Sequence, residues 1–242
     1  MYTFNGTIRF SETDRDRRLT PTALLNYFQD CSVFHSEHAG IHYKDLLQDR
    51  IAWVTNAWQI VIHRYPALRE DVVIGTAPYQ LRGFIGLRNF WMDTADGERL
   101  ATANSVWSLI HLDTLTPVRI PDSMIEAFPL SEKQPMDYAS RKLPFPDVAD
   151  VKTAEPVCVH THHLDANDHV NNAQYVRIAM DLIPEGHIEM LRAEYTKQAR
   201  LGDMLYPRIA SVMTDDNKRV DTIALSDHED TPYCVIELTH TT

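Results

Sequence analysis

Apolar side chains recur with helical spacing in the segment "LTPTALLNYFQDCSVFHSEHAG", residues 19–40. The i, i+3, i+4 and i+7 positions of one helical face are Leu24, Tyr27, Phe28 and Cys31. Thr20 is a favoured N-cap, Pro21 suits the first helical position, and Gly40 suits the residue after the last turn. The pattern therefore predicts an amphipathic helix that buries one face.

Four segments that follow this helix are rich in β-branched and aromatic residues, as strands are. They read "IAWVTNAWQIVI", "DVVIGTAPYQL", "FIGLRNFWMDT" and "ATANSVWSLIHL". Asp96-Gly97, between the third and the fourth segment, is a favoured hairpin pair. The first half of the chain is therefore predicted to form a helix followed by an antiparallel meander.

The next segment is a connector whose apolar residues follow neither helical nor strand periodicity. The segment "PLSEKQPMDYASRKLPFPDVAD" contains four prolines, which punctuate helices and strands. We place a domain boundary here, with a linker at about residues 130–150. The expected domains are residues 1–135 and residues 150–242.

The second half of the chain repeats the pattern of the first. The segments "ETDRDRRLTPTALLNYF" and "HLDANDHVNNAQYVRIA" align without a gap. Their alignment pairs Asp14 with Asp165, Asp16 with Asn167, and Arg18 with His169. Further on, "YPALREDVV" resembles "KQARLGDML", with Asp71 matched to Asp203, and a second helix is expected over residues 172–183. The repeat predicts an α+β protein of two halves, each with one long helix packed on an antiparallel sheet.

Composition narrows the class of protein. The formal net charge of −11 disfavours a nucleic-acid partner. Cys31, Cys158 and Cys234 are odd in number and far apart, so a disulfide framework is not expected. The N-terminus lacks the pattern of a signal peptide, and no apolar run approaches the roughly 20 residues of a membrane span. These features predict a soluble cytoplasmic protein.

The densest polar chemistry lies in "THHLDANDHVNNAQY", residues 161–175. In the simplest interpretation, Asn171 and Asn172 cap the second helix. A metal role for the neighbouring histidines is disfavoured, because their spacing matches no zinc motif. A third interpretation is catalytic: the alternating residues Asp165, Asn167 and His169 would project to one side if this stretch is extended.

Other histidines and charges have structural interpretations. His35, His38 and His42 share a helical spacing and are expected to be at the surface or partly buried. Arg18 stands where the second half has a histidine, so a structural or docking role is favoured for the first-half turn.

Three segments carry a resemblance to a known family. They are "LDANDHVNNAQY", "ATANSVWSLIHLDTLTPVRIP" and "AEYTKQA". They resemble the acyl-acyl carrier protein thioesterases, a double-hotdog family in which one chain carries two hotdog units. The resemblance covers nearly the whole chain in order and length. It implies a tandem hotdog with its sheets joined edge to edge, and hydrolysis of fatty acyl-acyl carrier protein in fatty acid biosynthesis without a metal or an organic cofactor.

The resemblance also implies which residues are catalytic. Asp165, Asn167 and His169 match positions that the family uses in catalysis. The family usually adds a glutamate that falls at Gln198 and often a cysteine that falls at Ala199. A glutamine can hold a water molecule but cannot take its proton, which shifts the role of base to His169 or Asp165. Hydrolysis by an activated water is therefore favoured over an acyl-enzyme.

The sequence leaves several alternatives open. An acyl-CoA thioesterase is the near alternative, and a catalytically weak acyl-thioester binding protein is the alternative from another class. Both a monomer and a homodimer remain open. An acidic carrier protein needs local positive charge on this acidic chain. The candidates are Arg15, Arg17 and Arg18 in the first half, and Arg177, Arg192, Lys197 and Arg200 in the second.

Overall fold

A computed structural model describes residues 1–241 of the chain. Within it the chain divides into two compact units, the first formed by Met1–Ala139 and the second beginning at Ser140. Within the described residues, no helix is both long enough and apolar enough to span a bilayer.

The first unit is an antiparallel sheet of five strands with three helices. The strands are β1 (Tyr2–Thr7), β2 (Ile51–Ile62), β3 (Asp71–Arg82), β4 (Ile85–Thr94) and β5 (Arg99–His111). The helices are α1 (Pro21–His38), α2 (Tyr43–Gln48) and α3 (Asp122–Ala127). The strands lie in the order β1-β3-β4-β5-β2, and α1 packs against β3 and β1.

The signals read from the sequence set the limits of α1. The Thr20 hydroxyl accepts a hydrogen bond from the Ala23 N–H at 3.2 Å, and Pro21 is the first helical residue. Gly40 has a φ of +77° just after the helix, a conformation that glycine adopts without strain. Phe28 is fully buried and stacks near Trp58 and Phe90. The predicted helix, its cap and its buried face are confirmed.

The predicted strands are confirmed as well. The segment "IAWVTNAWQIVI" is β2, and the other three segments coincide with β3, β4 and β5 within a residue or two. Gly97, with a φ of +92°, lies in the tight turn between β4 and β5, where the Gly97 N–H donates to the Thr94 carbonyl. The hairpin therefore forms at Asp96-Gly97.

The second unit contains one α-helix and six strands. The strands are β6 (Val151–Thr153), β7 (Val157–Cys158), β8 (Ile188–Tyr195), β9 (Met204–Met213), β10 (Arg219–Ser226) and β11 (Pro232–His240). They lie in the order β8-β11-β10-β9-β6, with β7 also on β9, and all pairs are antiparallel. The helix α4 (Asn172–Asp181) packs on β10 and β11.

The two central helices differ in length. Helix α1 has 18 residues, whereas α4 has 10 and ends at Asp181 rather than at residue 183. The expectation of two long helices is therefore not confirmed. The α+β architecture on antiparallel strands is observed in both units.

The connector is held by side chains of both units. Gln59 donates to the Asp137 carbonyl and accepts from the Ala139 N–H in the first unit. In the second unit, Glu194 accepts from the Leu143 N–H at 2.9 Å. The segment therefore lacks regular structure but has fixed backbone partners.

The internal repeat extends to individual hydrogen bonds. In the first unit the Ile8 N–H donates to Glu70, and in the second the Val159 N–H donates to Asp203. The Glu70 carboxylate accepts from the Ala67 N–H, as the Asp203 carboxylate accepts from the Arg200 N–H. Glu70 is thus the counterpart of Asp203, and the alignment of Asp71 with Asp203 was wrong by one residue. The correct register also aligns Leu68 with Leu201, so a pair of identical residues in the sequence supports it.

Candidate active site

The segment from Asp165 to His169 forms a tight turn just before α4. The Asp165 N–H donates to the His169 carbonyl at 2.8 Å, and Asp168 has a φ of +59°. Asp165 Oδ1 accepts from the Asn167 N–H at 2.8 Å and from the His169 N–H at 3.4 Å. The hypothesis that this stretch is extended, with three side chains on one side, was wrong. A short carboxylate that binds its own backbone stabilises a turn instead.

The first unit contains the same turn. Asp14 Oδ1 accepts from the Asp16 N–H and from the Arg18 N–H, each at 2.9 Å. Arg17 has a φ of +59°, the value found at Asp168. Asp14 and Asp165 therefore stabilise their turns in the same way, whereas the next four side chains differ and the fifth position is Arg18 in one turn and His169 in the other.

His169 carries the imidazole of the turn and is half-buried. Burial is the largest cause that lowers its pKa from 6.5, followed by the positive charge of Arg200. The carboxylates of Asp165 and Asp168 act in the opposite direction but are weaker. His169 is therefore neutral at pH 7 and can accept a proton. Asn167, two residues earlier, is exposed.

The helix entry beside the turn is fixed by capping. Asn171 is the N-cap of α4, and its side chain accepts from the Ala173 N–H at 2.8 Å. The Tyr195 hydroxyl donates to the Asn172 carbonyl at 3.1 Å. The capping role of Asn171 is confirmed, whereas Asn172 contributes its backbone carbonyl to this contact.

The segment after β8, which contains Gln198, adjoins the turn. The Val170 N–H donates to the Ala199 carbonyl at 3.0 Å, so the residues that follow His169 and Gln198 are hydrogen-bonded to each other. The Ala199 N–H donates to the Tyr175 hydroxyl at 2.9 Å. The turn and the segment that follows β8 are thereby brought together, with Ala199 fully buried and Gln198 exposed.

Tyr175 has a role that the sequence interpretation missed. It lies on the buried face of α4, and its hydroxyl accepts a hydrogen bond from the backbone of Ala199. The available signal was the residue type, because a buried tyrosine usually needs a partner for its hydroxyl.

Several of the expected basic residues are engaged within their own unit. Arg192 donates to Glu237 at 2.7 Å, and Lys197 donates to Asp227 at 2.7 Å. In the first unit, Arg18 donates to the Tyr65 carbonyl. Arg177 and Arg200 are exposed in the second unit. Of the seven expected basic residues, only Arg192 is not exposed, and Arg192 and Lys197 are paired with carboxylates.

The histidines before the turn pack on one another. The ring centroids of His162 and His163 are 4.1 Å apart, and His163 Nδ1 accepts from the His160 N–H at 3.0 Å. Burial, followed by His162, lowers the pKa of His163. Residues 1–241 contain no group of three or more His, Cys, Asp or Glu arranged to hold a metal ion.

Two of the three cysteines, Cys31 and Cys234, are poorly suited to nucleophilic chemistry. Cys31, Cys158 and Cys234 are free thiols. Burial raises the pKa of Cys31 to about 12 and raises that of Cys234 as well. A buried thiol with a raised pKa is a poor nucleophile at neutral pH.

A cavity of about 420 Å³ lies elsewhere in the second unit, between the connector and the sheet. Its lining includes Leu143, Phe145, Glu194, Arg208 and Val235. Asp165, Asn167, His169 and Gln198 do not line it, so this cavity is not the site described above.

Helix-on-sheet units of this kind define a hotdog-type α+β protein. Residues 1–128 match the family described as the acyl-ACP thioesterase N-terminal domain, where ACP is acyl carrier protein, and residues 148–232 match the acyl-ACP thioesterase C-terminal domain. The chain therefore belongs to the acyl-ACP thioesterase family.

Individual relatives agree with the family. A chloroplastic palmitoyl-acyl carrier protein thioesterase from Arabidopsis thaliana is 28% identical over 200 residues, which cover 76% of this chain and 48% of the relative. This chain spans about half the length of the first curated relatives it matches.

Two solved structures show the same fold. A protein from Lactobacillus plantarum, assigned as an oleoyl thioesterase, superposes with a TM-score of 0.90 at 22% identity, over 100% of this chain and 96% of the other. An acyl-ACP thioesterase from Bacteroides thetaiotaomicron superposes with a TM-score of 0.85 at 22% identity, over 99% and 97% of the two chains.

Proposed function

We propose that this protein hydrolyses the thioester of fatty acyl-acyl carrier protein and releases a free fatty acid, as a step of fatty acid biosynthesis. Membership of the acyl-ACP thioesterase family supports the reaction class. The observation that carries the proposal is a neutral, half-buried His169 in a fixed turn between the entry of α4 and the end of β8.

In the proposed reaction, His169 is the general base. It takes a proton from water, the resulting hydroxide adds to the thioester carbonyl carbon, and the tetrahedral intermediate expels the thiolate. The His169 imidazolium then gives its proton to the thiolate and returns to the neutral form. A neutral imidazole with a lowered pKa suits this step near neutral pH. No acyl-enzyme is needed, in keeping with the buried, high-pKa thiols.

The other three residues have supporting roles in this proposal. The exposed Asn167 side-chain amide donates to the carbonyl oxygen as negative charge develops there. Asp165 holds the turn that presents His169, because its Oδ1 already accepts two backbone N–H groups. Gln198 holds the attacking water through a hydrogen bond. This assigns the base to His169 rather than to Asp165.

The whole protein is proposed to act in the cytoplasm without a metal or organic cofactor. We propose hotdog domains at residues 1–135 and 150–242, one for each helix-on-sheet unit. The family matches, at residues 1–128 and 148–232, support limits of this kind.

A binding protein with little activity is the second candidate function. Gln198 and Ala199 motivate it, because they stand where the resemblance implies a glutamate and a cysteine. In that case the protein would hold an acyl thioester without rapid turnover.

Thiol release separates the two functions. Octanoyl-acyl carrier protein and octanoyl-CoA are each incubated with the protein, and free thiol is measured with a thiol reagent. We expect catalytic release from both, with a higher kcat/KM for the carrier-protein substrate. Release of no more than one thiol per protein would support the binding protein, and a preference for octanoyl-CoA would support an acyl-CoA thioesterase.

A further inference from the structure

A buried arginine in the first unit lacks a negatively charged partner. Arg88 lies on β4 and is 9% exposed. Its Nη1 donates to His35 Nδ1 at 2.7 Å and to the Thr76 hydroxyl at 3.3 Å. Within residues 1–241, no ion pair to a carboxylate is found for Arg88.

His35 cannot supply the missing charge. A guanidinium has donors only, so the His35 Nδ1 must be the acceptor and the ring proton is on Nε2. Burial, followed by the charge of Arg88, lowers the pKa of His35 to about 3. Burial lowers the pKa of Arg88 to about 10, which still leaves it charged at pH 7. The pair therefore carries one net positive charge inside the unit.

The remaining neighbours of Arg88 are mainly apolar. Its guanidinium carbon lies 5.2 Å from the centre of the Phe128 ring, which also meets the His35 ring edge-on. Phe128 packs in a buried cluster with Ile51 and Leu109. A ring face attracts the cation but does not replace an anion, since burying an unpaired charge is costly.

Part of the guanidinium has no hydrogen bond and keeps access to solvent. The bonds described above use Nη1 alone. Some side-chain atoms of residues 1–241 are sealed from solvent and lack a hydrogen-bond partner. No nitrogen of Arg88 is among them. Nε and Nη2, the edge that binds a carboxylate in a bidentate manner, therefore have no hydrogen-bond partner and are not fully sealed from solvent.

A second unmet donor lies in the same row of the sheet. Arg88 on β4 and Trp58 on β2 are both opposite Ser105 on β5. Trp58 is 2% exposed, and its indole Nε1 has no hydrogen-bond partner. The Ser105 hydroxyl accepts from Trp107 and donates to the Arg88 carbonyl, and it does not accept from Trp58. Two donors without acceptors in one buried row indicate an acceptor that the chain itself does not provide.

We propose that the first unit binds a carboxylate that carries an apolar chain, with the carboxylate held by the Nε and Nη2 edge of Arg88. The positive charge selects the anion, and the aromatic and aliphatic neighbours of Arg88 select the chain. Free fatty carboxylates have this chemistry, and so does an acyl chain that ends in a second carboxylate. This site goes beyond the proposed hydrolysis, and its binding is measured without turnover.

Calorimetry on the full chain tests the site with three probes. Octanoate has both the charge and the chain, 1-octanol lacks the charge, and acetate lacks the chain. We expect octanoate to bind at least about tenfold more tightly than either of the other two, as a charged hydrogen-bonded pair requires. Equal affinity for octanoate and 1-octanol in the parent protein would overturn the proposal without any variant.

Variants assign the binding to Arg88. Arg88→Met keeps the approximate volume and should weaken octanoate binding at least about tenfold, while leaving 1-octanol binding within about twofold. Arg88→Lys keeps the charge without the bidentate edge and should give an intermediate affinity. The control is Arg82→Met, because Arg82 is an exposed arginine at the end of β3, the strand that pairs with β4. Octanoate binding by Arg88→Met at the affinity of the parent would overturn the proposal.

Two further thioesters identify the source of the carboxylate. If it is the far end of an acyl chain, the parent hydrolyses a thioester of octanedioic acid faster than octanoyl thioester, and Arg88→Met loses this preference. If it is a free fatty acid, octanoate binds as above and neither thioester is preferred. Absence of hydrolysis by the parent would count against the proposed function alone, since octanoate binding is measured separately.

Discussion

His169 combines, in one residue, a fixed backbone and a neutral imidazole. Its N–H and carbonyl are both bonded to Asp165, and burial, followed by Arg200, lowers its pKa. These features belong to the residue and its immediate neighbours. They give the proposed base a defined position and a protonation state that can be tested by substitution and by pH.

Replacement of His169 should therefore remove the base. We expect His169→Ala to lower kcat by about 10²-fold or more, within the usual range for general acid–base catalysis. In the parent, kcat/KM should fall as pH drops through a pKa below 6.5, because the lowered pKa keeps the imidazole neutral to a more acidic pH. Octanoyl-CoA turnover against pH measures both effects, with the exposed His63→Ala as the control.

Asn167 gives the matching prediction for the carbonyl oxygen. Asn167→Ala should lower kcat by an amount comparable to His169→Ala, because a donor to the developing oxyanion is lost. Circular dichroism confirms that each variant is folded. Near-parental turnover in both folded variants would place the active site elsewhere.

Variants of Gln198 distinguish positioning of the attacking water from transfer of its proton. It is exposed, so a glutamate placed there should titrate close to the ordinary value of about 4.3. We expect Gln198→Glu to retain or raise turnover and to add an ionisation near that pH. Gln198→Leu should lower turnover roughly tenfold, as for one lost hydrogen bond to water. Turnover of Gln198→Leu equal to the parent at every pH would show that Gln198 is not in the site.

At the scale of elements, the repeated turn offers a matched pair of variants. Asp14 and Asp165 each accept two backbone N–H groups, but only Asp165 lies in the proposed active site. We expect Asp14→Ala and Asp165→Ala each to lower the free energy of unfolding by about 1–2 kcal/mol, measured by urea denaturation. Only Asp165→Ala should also lower octanoyl-CoA turnover.

The isosteric substitution tests why Asp165 matters. Asp165→Asn keeps an oxygen that can accept the same two N–H groups, so it should retain most of the stability that Asp165→Ala loses. If Asp165 acts only by holding the turn, Asp165→Asn also retains most of the turnover. A loss of turnover as large as that of His169→Ala would instead make the Asp165 carboxylate a base.

At the scale of the whole molecule, charge would govern how the carrier protein docks in the proposed function. The chain has a formal net charge of −11, and acyl carrier proteins are acidic as a class, so the mean interaction is repulsive. Productive docking requires exposed positive charge, of which Arg177 and Arg200 are examples in the second unit. Arg192 and Lys197 contribute less, because each is already paired with a carboxylate.

The sign of the salt dependence tests this argument. If exposed arginines guide docking, kcat/KM for octanoyl-acyl carrier protein falls as salt rises, and falls more than that for octanoyl-CoA. Arg177→Ala should reduce the salt sensitivity, whereas the exposed Arg119→Ala serves as the control. A rate with the carrier protein that rises with salt would mean that net repulsion dominates.

The sequence by itself determined the elements whose causes are local. Thr20, Pro21 and Gly40 set the ends of α1, and alternating or β-branched runs set β2 to β5, because capping and periodicity act over a few residues. The repeat also aligned the two segments that form matching turns, and Asp14 and Asp165 need only the next four residues to form them. The candidate residues could be named for the same reason, but the extended conformation assumed for them was wrong.

The tertiary structure decided which distant groups meet. The bond from the Ala199 N–H to the Tyr175 hydroxyl joins residues 24 apart, and the bond from Arg88 to His35 joins residues 53 apart. Neither pair follows from a local pattern, because the partner of a buried polar group is chosen by packing of strands and helices. The same reason explains why the alignment paired Asp203 with Asp71 instead of Glu70. The hydrogen bond from the distant Ile8 N–H identifies Glu70 as the counterpart of Asp203. The sequence thus determined the elements and the turn chemistry, and only the packed structure decided the surroundings of Ala199 and the unpaired charge of Arg88.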